Sequence, residues 1–257
     1  MTVKASNNPA PKQERATQAH PTPPVGSVHL DAARGDRDGQ QSLRFERPHK
    51  TYTLSATDEV TRYLDTLTSE LKAGNHIAGF FTYEAGRLLA GLPVTEAPEP
   101  LAWFGVYSAA EISPAQPLEP AVRRATGVNH VRLPWSEGEW AARVARVKRY
   151  LTAGDTYQVN LTLTADVSLT ASPFDTYRAL LARQPVPYAA YVRPEVDRHL
   201  LSLSPELFVR SDGRDVWSRP MKGTAAPGSD AAALSDAKTT AEHIMIVDLL
   251  RNDLGRV

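Results

Sequence analysis

Apolar residues near the C-terminal end of the sequence recur every three or four positions within 240–254. This spacing places them on one face of an α-helix. The stripe consists of Ile244, Val247, Leu250 and Leu254, widened by Ile246 and Leu249. A helix is therefore predicted here, with Glu242 in its first turn. A carboxylate at that position either interacts favourably with the helix dipole or serves as a metal ligand.

Three further helices are predicted, the first two from apolar stripes of the same period. The first follows Thr57 as its N-cap, and the third covers residues 175–183. The second begins at the capping box formed by Ser136 and Glu139 and ends at Gly154. The apolar stripes of the first and second helices are Val60, Leu64, Leu67, Leu71 and Trp140, Val144, Val147, Leu151.

Short runs rich in apolar and β-branched residues predict strands that are separated by turns. The runs are 28–30, 50–54, the first part of 77–86, 101–107, 188–192, 199–203, 207–210 and 215–217. Gly86 is predicted to close the third run as a turn. Asp212 and Gly213, between the last two runs, indicate a hairpin.

Residues 156–164 alternate strictly between apolar and polar side chains. The apolar set is Tyr157, Val159, Leu161 and Leu163, and the polar set is Gln158, Asn160, Thr162 and Thr164. Such alternation predicts a strand with one apolar and one polar face. The polar face either meets solvent or lines a wet cavity, and in the second case Gln158 and Asn160 are candidate binding residues.

The composition indicates a globular protein, with 42% hydrophobic and 23% charged residues and a formal net charge of +0. The balanced charge gives no indication of a nucleic-acid or membrane-surface partner. No stretch has the length of a membrane span, and the N-terminus lacks the apolar core of a signal peptide. With no cysteine in the chain, we expect a cytoplasmic protein. Residues 1–26 are polar and proline-bearing, and are expected to be disordered.

Residues 218–224 (SRPMKGT) place Lys222 in a constrained loop. Pro220 restricts the backbone before the lysine, and Gly223 lets backbone or ligand approach closely after it. Lys222 is either a solvated surface charge or a nucleophile. A lysine amine attacks carbon only after it has lost its proton, and desolvation or a nearby cation such as Arg219 promotes that loss.

Glu206 follows an apolar run in the sequence Ser204-Pro205-Glu206. It is either a surface carboxylate or, if partly buried, a proton donor. These residues by themselves indicate a polar-lined α/β enzyme and do not specify its reaction.

Four segments, in this order and at this spacing, resemble the chorismate-utilising enzyme family. They are 154–162 (GDTYQVNLT), 204–207 (SPEL), 219–224 (RPMKGT) and 241–253 (AEHIMIVDLLRND). Upstream, 80–86 and 100–107 are similar to the N-terminal region of aminodeoxychorismate synthase component I. The resemblance covers about residues 28–257.

The resemblance implies an α/β fold of the anthranilate synthase component I type, here incomplete. Two facing, mostly antiparallel sheets carry helices on their outer sides. By sequence, the chain divides into the tail (1–26), an N-terminal region (27–122) and a chorismate-binding catalytic region (123–257). The N-terminal and C-terminal parts of the family fold intertwine, so this division applies to the sequence.

The resemblance also assigns roles to individual residues. Lys222 would attack C2 of chorismate, and Glu206 would protonate the departing C4 hydroxyl before ammonia enters at C4. Anthranilate synthases typically have alanine at the position of Lys222. Isochorismate and salicylate synthases carry a water-activating lysine at the position of Gln158, so glutamine argues against water as the nucleophile.

The remaining positions of the matched segments belong to substrate and metal binding in the family. Asn160, Gly223 and Thr224 would contact the substrate together with Gln158. Glu242 matches one of two glutamates that hold Mg²⁺ against a substrate carboxylate. The expected partners are chorismate and a glutamine amidotransferase that supplies ammonia, with a C-terminal segment or a fused aminodeoxychorismate lyase as further candidates.

The resemblance implies aminodeoxychorismate synthase component I, which acts in para-aminobenzoate and folate biosynthesis. The alternatives are anthranilate synthase component I and a non-catalytic binding protein of the same family. Family members continue past the position of Val257 with a histidine segment, a glycine-rich loop and the second magnesium glutamate. We therefore expect this chain alone to be catalytically silent and only marginally folded.

Overall fold

The computed structural model describes residues 21–33, 41–94, 100–115, 128–223 and 236–256. Thr224 and most of the tail at 1–26 lie outside this range. The strands are β1 (Ser27–Asp31), β2 (Ser42–Phe45), β3 (Lys50–Leu54), β4 (His76–Phe81), β5 (Ala102–Tyr107), β6 (Ile112–Ala115), β7 (Val128–Arg132), β8 (Asp166–Leu169), β9 (Tyr188–Arg193), β10 (Leu200–Ser204), β11 (Leu207–Ser211) and β12 (Val216–Arg219). The helices are α1 (Val60–Lys72), α2 (Tyr83–Leu89), α3 (Glu137–Ala153), α4 (Pro173–Arg183) and α5 (Ala237–Leu254).

Two antiparallel sheets form the main body of the described structure. The larger has the strand order β10-β9-β1-β2-β6, and the smaller has the order β3-β5-β4. Two separate hairpins, β7-β8 and β11-β12, complete the strand pairing. Because β1 pairs along its whole length with β9, the larger sheet takes strands from both the 27–122 and the 123–257 regions.

The two sheets face each other across one apolar core. Val28 of β1, Phe45 of β2 and Val192 of β9 pack against Trp103 and Tyr107 of β5. Strand alternation places these side chains on the inner faces of their sheets. The expected pair of facing antiparallel sheets is thus confirmed.

A helix covers the outer face of each sheet. Tyr63 and Leu67 of α1 pack with Leu54 and Ala102 of the smaller sheet. On the other side, α4 packs against the larger sheet through its buried residues. This second cluster comprises Phe174, Tyr177, Leu181, Val186, Ala189 and Tyr191. The layers therefore run helix, sheet, sheet, helix, as the resemblance implied.

Two local predictions in the N-terminal region were wrong. The N-cap of α1 is Glu59 instead of Thr57, and the Thr57 hydroxyl lies 3.1 Å from Ser55 Oγ in the preceding turn. Gly86 is inside α2 instead of in a turn, since this helix buries Ala85 against the α1 core.

The predicted strand at 156–164 is also absent. These residues are in no helix or strand, and no strand of the described residues pairs with them. A strand needs a partner for its backbone N–H and C=O groups, so the alternating side-chain pattern is not sufficient. Tyr157 is 85% exposed and Val159 is 41% exposed.

The helices α3 and α5 form as their patterns predict, but their apolar stripes are only half-buried or exposed. The capping box is present, because Ser136 Oγ accepts from Glu139 N at 3.3 Å and Ser136 N donates to Glu139 Oε2 at 2.9 Å. Gly154 ends α3 with φ 81°, in the left-handed region. Neither helix has a buried residue. Among the described residues, no helix is long and apolar enough to cross a membrane.

A buried carboxylate connects β1 to two neighbouring elements. Asp31 is 0% exposed, and it accepts from Arg44 Nη2 of β2 at 2.6 Å and from the Tyr177 hydroxyl of α4 at 2.8 Å. Burial, reinforced by the charge of Asp31, raises the pKa of Tyr177, so its hydroxyl stays a donor. Beside it, burial and the charge of Arg44 lower the pKa of His29 to about 3, which keeps this imidazole neutral.

We expect Tyr177→Phe to destabilise the fold by about 1.5–3 kcal/mol, because a buried carboxylate then loses one of its donors. Urea unfolding followed by circular dichroism measures this loss. Tyr83→Phe is the matched control, since Tyr83 is 84% exposed. Equal stability of the two variants would show that the Tyr177 hydroxyl is not needed to satisfy Asp31.

Glu70 of α1 gives the fold a defined acid sensitivity. It accepts from Tyr52 OH at 2.6 Å, Lys50 Nζ at 2.9 Å and Asn75 Nδ2 at 2.8 Å. These hydrogen bonds lower the pKa of Glu70 from 4.5 to about 2. Its contribution to stability is therefore complete above pH 4.5 and is lost as the pH falls from 4.5 towards 2.

We expect the difference in Tm between wild type and Glu70→Gln to shrink when the pH is lowered from about 6 to about 3. Over this range Glu70 takes up a proton in the unfolded chain but stays mostly ionised in the folded one, so unfolding becomes more favourable. Thermal melts at the two pH values measure it. Asp65→Asn, an exposed position on the same helix, corrects for the general effect of removing one negative charge. A difference that stays constant with pH would contradict the role of Glu70.

Candidate functional site

The β11-β12 hairpin brings the chain to the candidate site. Its turn contains Gly213 at φ 90°, which glycine adopts without strain. Asp212 Oδ1 accepts from the backbone N–H groups of Arg214 at 2.9 Å and Asp215 at 2.8 Å. Hydrogen bonds from these backbone groups lower the pKa of Asp212. The predicted hairpin is confirmed, and β12 leads directly into the loop that carries Lys222.

Lys222 is largely withdrawn from solvent and lies beside a carboxylate. Its side chain is 16% exposed, and Nζ lies 3.8 Å from Glu242 Oε2. Gly223 adopts φ 85°, so the backbone turns immediately after the lysine in a conformation that favours glycine. Lys222 is therefore not the freely solvated surface charge that was one interpretation of the sequence.

Glu242 lies on α5, which begins at the N-cap Asp236. The Asp236 carboxylate accepts from Thr239 N at 2.8 Å. The helix starts at Ala237, so Glu242 is in the second turn and not in the first as predicted. Its side chain is 32% exposed, and Oε1 lies 3.9 Å from Nζ of Lys238. Each carboxylate oxygen thus has a lysine ammonium within 4.0 Å.

The described residues do not by themselves fit a Mg²⁺ ion at Glu242. They contain no group of three or more histidine, cysteine, aspartate or glutamate residues that could hold a metal ion. Mg²⁺ requires oxygen ligands, usually carboxylates and waters. Among the described residues, the ammonium groups of Lys222 and Lys238 lie within 4.0 Å of the carboxylate. Mg²⁺ binding therefore stays a prediction of the resemblance.

Glu206 lies between the larger sheet and the β11-β12 hairpin. Ser204 ends β10, and its Oγ accepts from Glu206 N at 3.1 Å and donates to Glu206 O at 2.9 Å. This turn fixes the backbone, while the Glu206 residue as a whole is exposed. The described residues alone therefore do not bury Glu206, although partial burial would favour its role as a proton donor.

Gln158 offers an unsatisfied acceptor. The residue is half-buried, and its Oε1 atom is buried without a hydrogen-bond partner among the described residues. Thr156 Oγ1 donates to the Gln158 backbone carbonyl at 3.1 Å, which shapes the chain just before it. Asn160 is exposed. An N–H or O–H donor of a ligand would satisfy Gln158 Oε1.

The structure brings together only part of the site expected from the sequence. Lys222 and Glu242 are in contact. Within the described residues, the side chains of Glu206, Gln158 and Asn160 form no ion pair or hydrogen bond with either of them. Thr224 lies outside the described residues.

Sequence reasoning missed Lys238, the second cation beside Glu242. The spacing of Lys238 and Glu242 could have revealed this contact, because residues four positions apart on a helix are neighbours. Lys238 is 85% exposed, and its contact with Glu242 spans one helical turn.

Three known proteins illustrate what this chain is similar to. It is 39% identical to anthranilate synthase component 1 of Streptomyces coelicolor over 145 residues, which make up 52% of this chain and 28% of that protein. It is 42% identical over 143 residues to anthranilate synthase component 1 of Thermus thermophilus, with coverage of 52% and 30%. It is 38% identical over 132 residues to aminodeoxychorismate synthase component 1 of Bacillus subtilis, with coverage of 48% and 28%.

The matched stretches thus span less than a third of these relatives. A family comparison covers far more of this chain, because the family described as chorismate binding enzyme matches residues 27–257. The match includes both facing sheets, the Lys222 loop and the helix that carries Glu242. The chain belongs to the chorismate binding enzyme family.

Proposed function

We propose that this chain carries part of the active site of an aminodeoxychorismate synthase component I. In this reaction, chorismate and ammonia give 4-amino-4-deoxychorismate and water. The observation that carries the proposal is Lys222, which is 16% exposed and lies in the loop after β12, next to Gly223 at φ 85°. A shielded, oriented amine is suited to nucleophilic attack.

The proposed steps use residues of this chain. The Lys222 amine forms a bond to C2 of chorismate, and the C4 hydroxyl leaves as water after it receives a proton from Glu206. Ammonia then forms the C4–N bond, and Lys222 leaves C2. Gln158 Oε1, which has no donor among the described residues, accepts a hydrogen bond from the substrate. A glutamine amidotransferase partner supplies the ammonia.

Anthranilate synthase component I is the second candidate function. It is favoured by the similar relatives that carry this name, including the one from Thermus thermophilus at 42% identity. The identity to the aminodeoxychorismate synthase relative is 38%, which does not separate the two. The two candidates form different products from the same substrates, so product analysis distinguishes them.

We expect isotope-labelled ammonium to enter 4-amino-4-deoxychorismate when the enzyme acts on chorismate, as measured by liquid chromatography and mass spectrometry. Because the matches span less than a third of the relatives, the assay uses this chain alone and also joined to the C-terminal region of the Bacillus subtilis relative. Lys222→Ala should abolish the product and the covalent adduct on this residue, because the attacking amine is gone. Lys72→Ala on α1 is the control.

Labelled anthranilate as the sole product would instead establish the second candidate. Normal formation of 4-amino-4-deoxychorismate by Lys222→Ala would show that Lys222 is not the nucleophile. If neither product forms with the joined C-terminal region, although chorismate binds, the chain is a binding protein of this family.

For Glu206→Gln, we expect kcat to fall by about two to four orders of magnitude, because the leaving hydroxyl loses its proton donor. KM should change little, since glutamine retains the shape and hydrogen-bonding ability of the side chain. Steady-state kinetics on the joined enzyme measure both constants. Glu195→Gln, at another exposed glutamate, is the control. A raised KM with unchanged kcat would assign Glu206 to substrate binding instead.

A further inference from the structure

Two lysines enclose the carboxylate of Glu242 from different parts of the chain. Lys222 approaches Oε2 from the loop after β12, and Lys238 approaches Oε1 from the preceding turn of α5. The two distances, 3.8 and 3.9 Å, are those of ion pairs and exceed the length of a charge-assisted hydrogen bond. We call these three residues the lysine–glutamate cluster.

The two lysines differ in how strongly they depend on Glu242. Lys222 is 16% exposed, so it has given up most of its hydration and needs a nearby anion. Lys238 is 85% exposed, and water already stabilises its charge. Lys222 is therefore the main partner of Glu242, and Lys238 adds a weaker, screened attraction.

The same cluster opposes a divalent cation at Glu242. A cation bound to either oxygen would lie close to an ammonium group of the same sign. A charge of two units and a charge of one unit about 6 Å apart in water repel by about 1.4 kcal/mol, which is a tenfold change in affinity. The repulsion is larger where solvent is excluded, as it partly is around Lys222.

We propose that Glu242 is the counter-ion of Lys222 and Lys238 in this chain, and that Lys222 and divalent cations compete for its carboxylate. The resemblance implies that Glu242 binds Mg²⁺, whereas in this structure two lysines occupy the space beside its carboxylate. This proposal concerns the same residues as the proposed function, but it does not require the proposed reaction. The ion pair and the competition exist whether or not Lys222 attacks chorismate.

The test is a titration of the 257-residue chain with Mn²⁺, which is paramagnetic and broadens the amide signals of residues near its binding site. We expect the Mn²⁺ affinity at Glu242 to rise about tenfold or more in Lys222→Gln, because one repelling charge is removed. Lys238→Gln should give a smaller rise, since this lysine is more exposed. Lys148→Gln on the exposed face of α3 should give none.

The double variant Lys222→Gln with Glu242→Gln identifies where the ion binds. If the cluster is the site, the double variant loses the affinity gained by Lys222→Gln. Circular dichroism confirms that each variant is folded, and Lys238→Gln tests the same competition at an exposed position if Lys222→Gln does not fold. Equal Mn²⁺ affinity in wild type and both lysine variants, or a gain that survives removal of Glu242, would overturn the proposal.

Neither result depends on turnover. A failure of the proposed reaction with a tenfold gain in Mn²⁺ affinity would leave the cluster intact and remove only the catalytic role of Lys222. An active enzyme without that gain would support the catalytic role of Lys222 and overturn the competition for Glu242.

Discussion

Asp31 ends β1, the central strand of the larger sheet, and its carboxylate is 0% exposed. A charge without water must have donors, and here they come from β2 and from α4. Tyr177 is 146 positions away from Asp31 in the sequence. The strand, its neighbour and the covering helix are therefore held in one arrangement, since a shift of any of them leaves the carboxylate unsatisfied. Breaking a buried pair of this kind costs about 3–5 kcal/mol.

The buried Asp31 fixes the strands from which the chain leads to the site residues. With β1 fixed, β9 pairs with it over its whole length, and β10 pairs with β9. The chain then passes through Glu206 into the β11-β12 hairpin and the Lys222 loop. Hydrogen-bonded strands thus fix the chain as far as Ser204 at the end of β10, and the separate β11-β12 hairpin continues from there to the candidate nucleophile.

The sequence was sufficient for several features that depend on neighbours along the chain. The capping box of Ser136 and Glu139, the left-handed Gly154 and the hairpin at Gly213 all follow from local backbone chemistry. Thr57 failed as an N-cap because its hydroxyl lies beside Ser55, which residue preferences do not reveal. The contact between Tyr177 and Asp31 could not be predicted, since no periodic pattern relates positions so far apart.

In the candidate site, too, local features could be predicted from the sequence and contacts between distant segments could not. The motif around Lys222 identified the loop, and the spacing of Lys238 and Glu242 on one helix could have identified their contact. The approach of Lys222 to Glu242 depends instead on how the hairpin and α5 are placed in space. The strand expected at 156–164 failed for a related reason, because alternation defines faces but supplies no pairing partner.

The irregular stretch 156–165 (TYQVNLTLTA) has no charged residue, no proline and no glycine. Its backbone groups are unpaired by any strand of the described residues, and Tyr157, Val159 and Leu163 present apolar surface. The usual protections of an open sheet edge, such as inward charges, prolines and bulges, are missing. In concentrated solution this stretch is a template for intermolecular β-pairing. Because the formal net charge is +0, electrostatic repulsion between chains does not oppose this pairing.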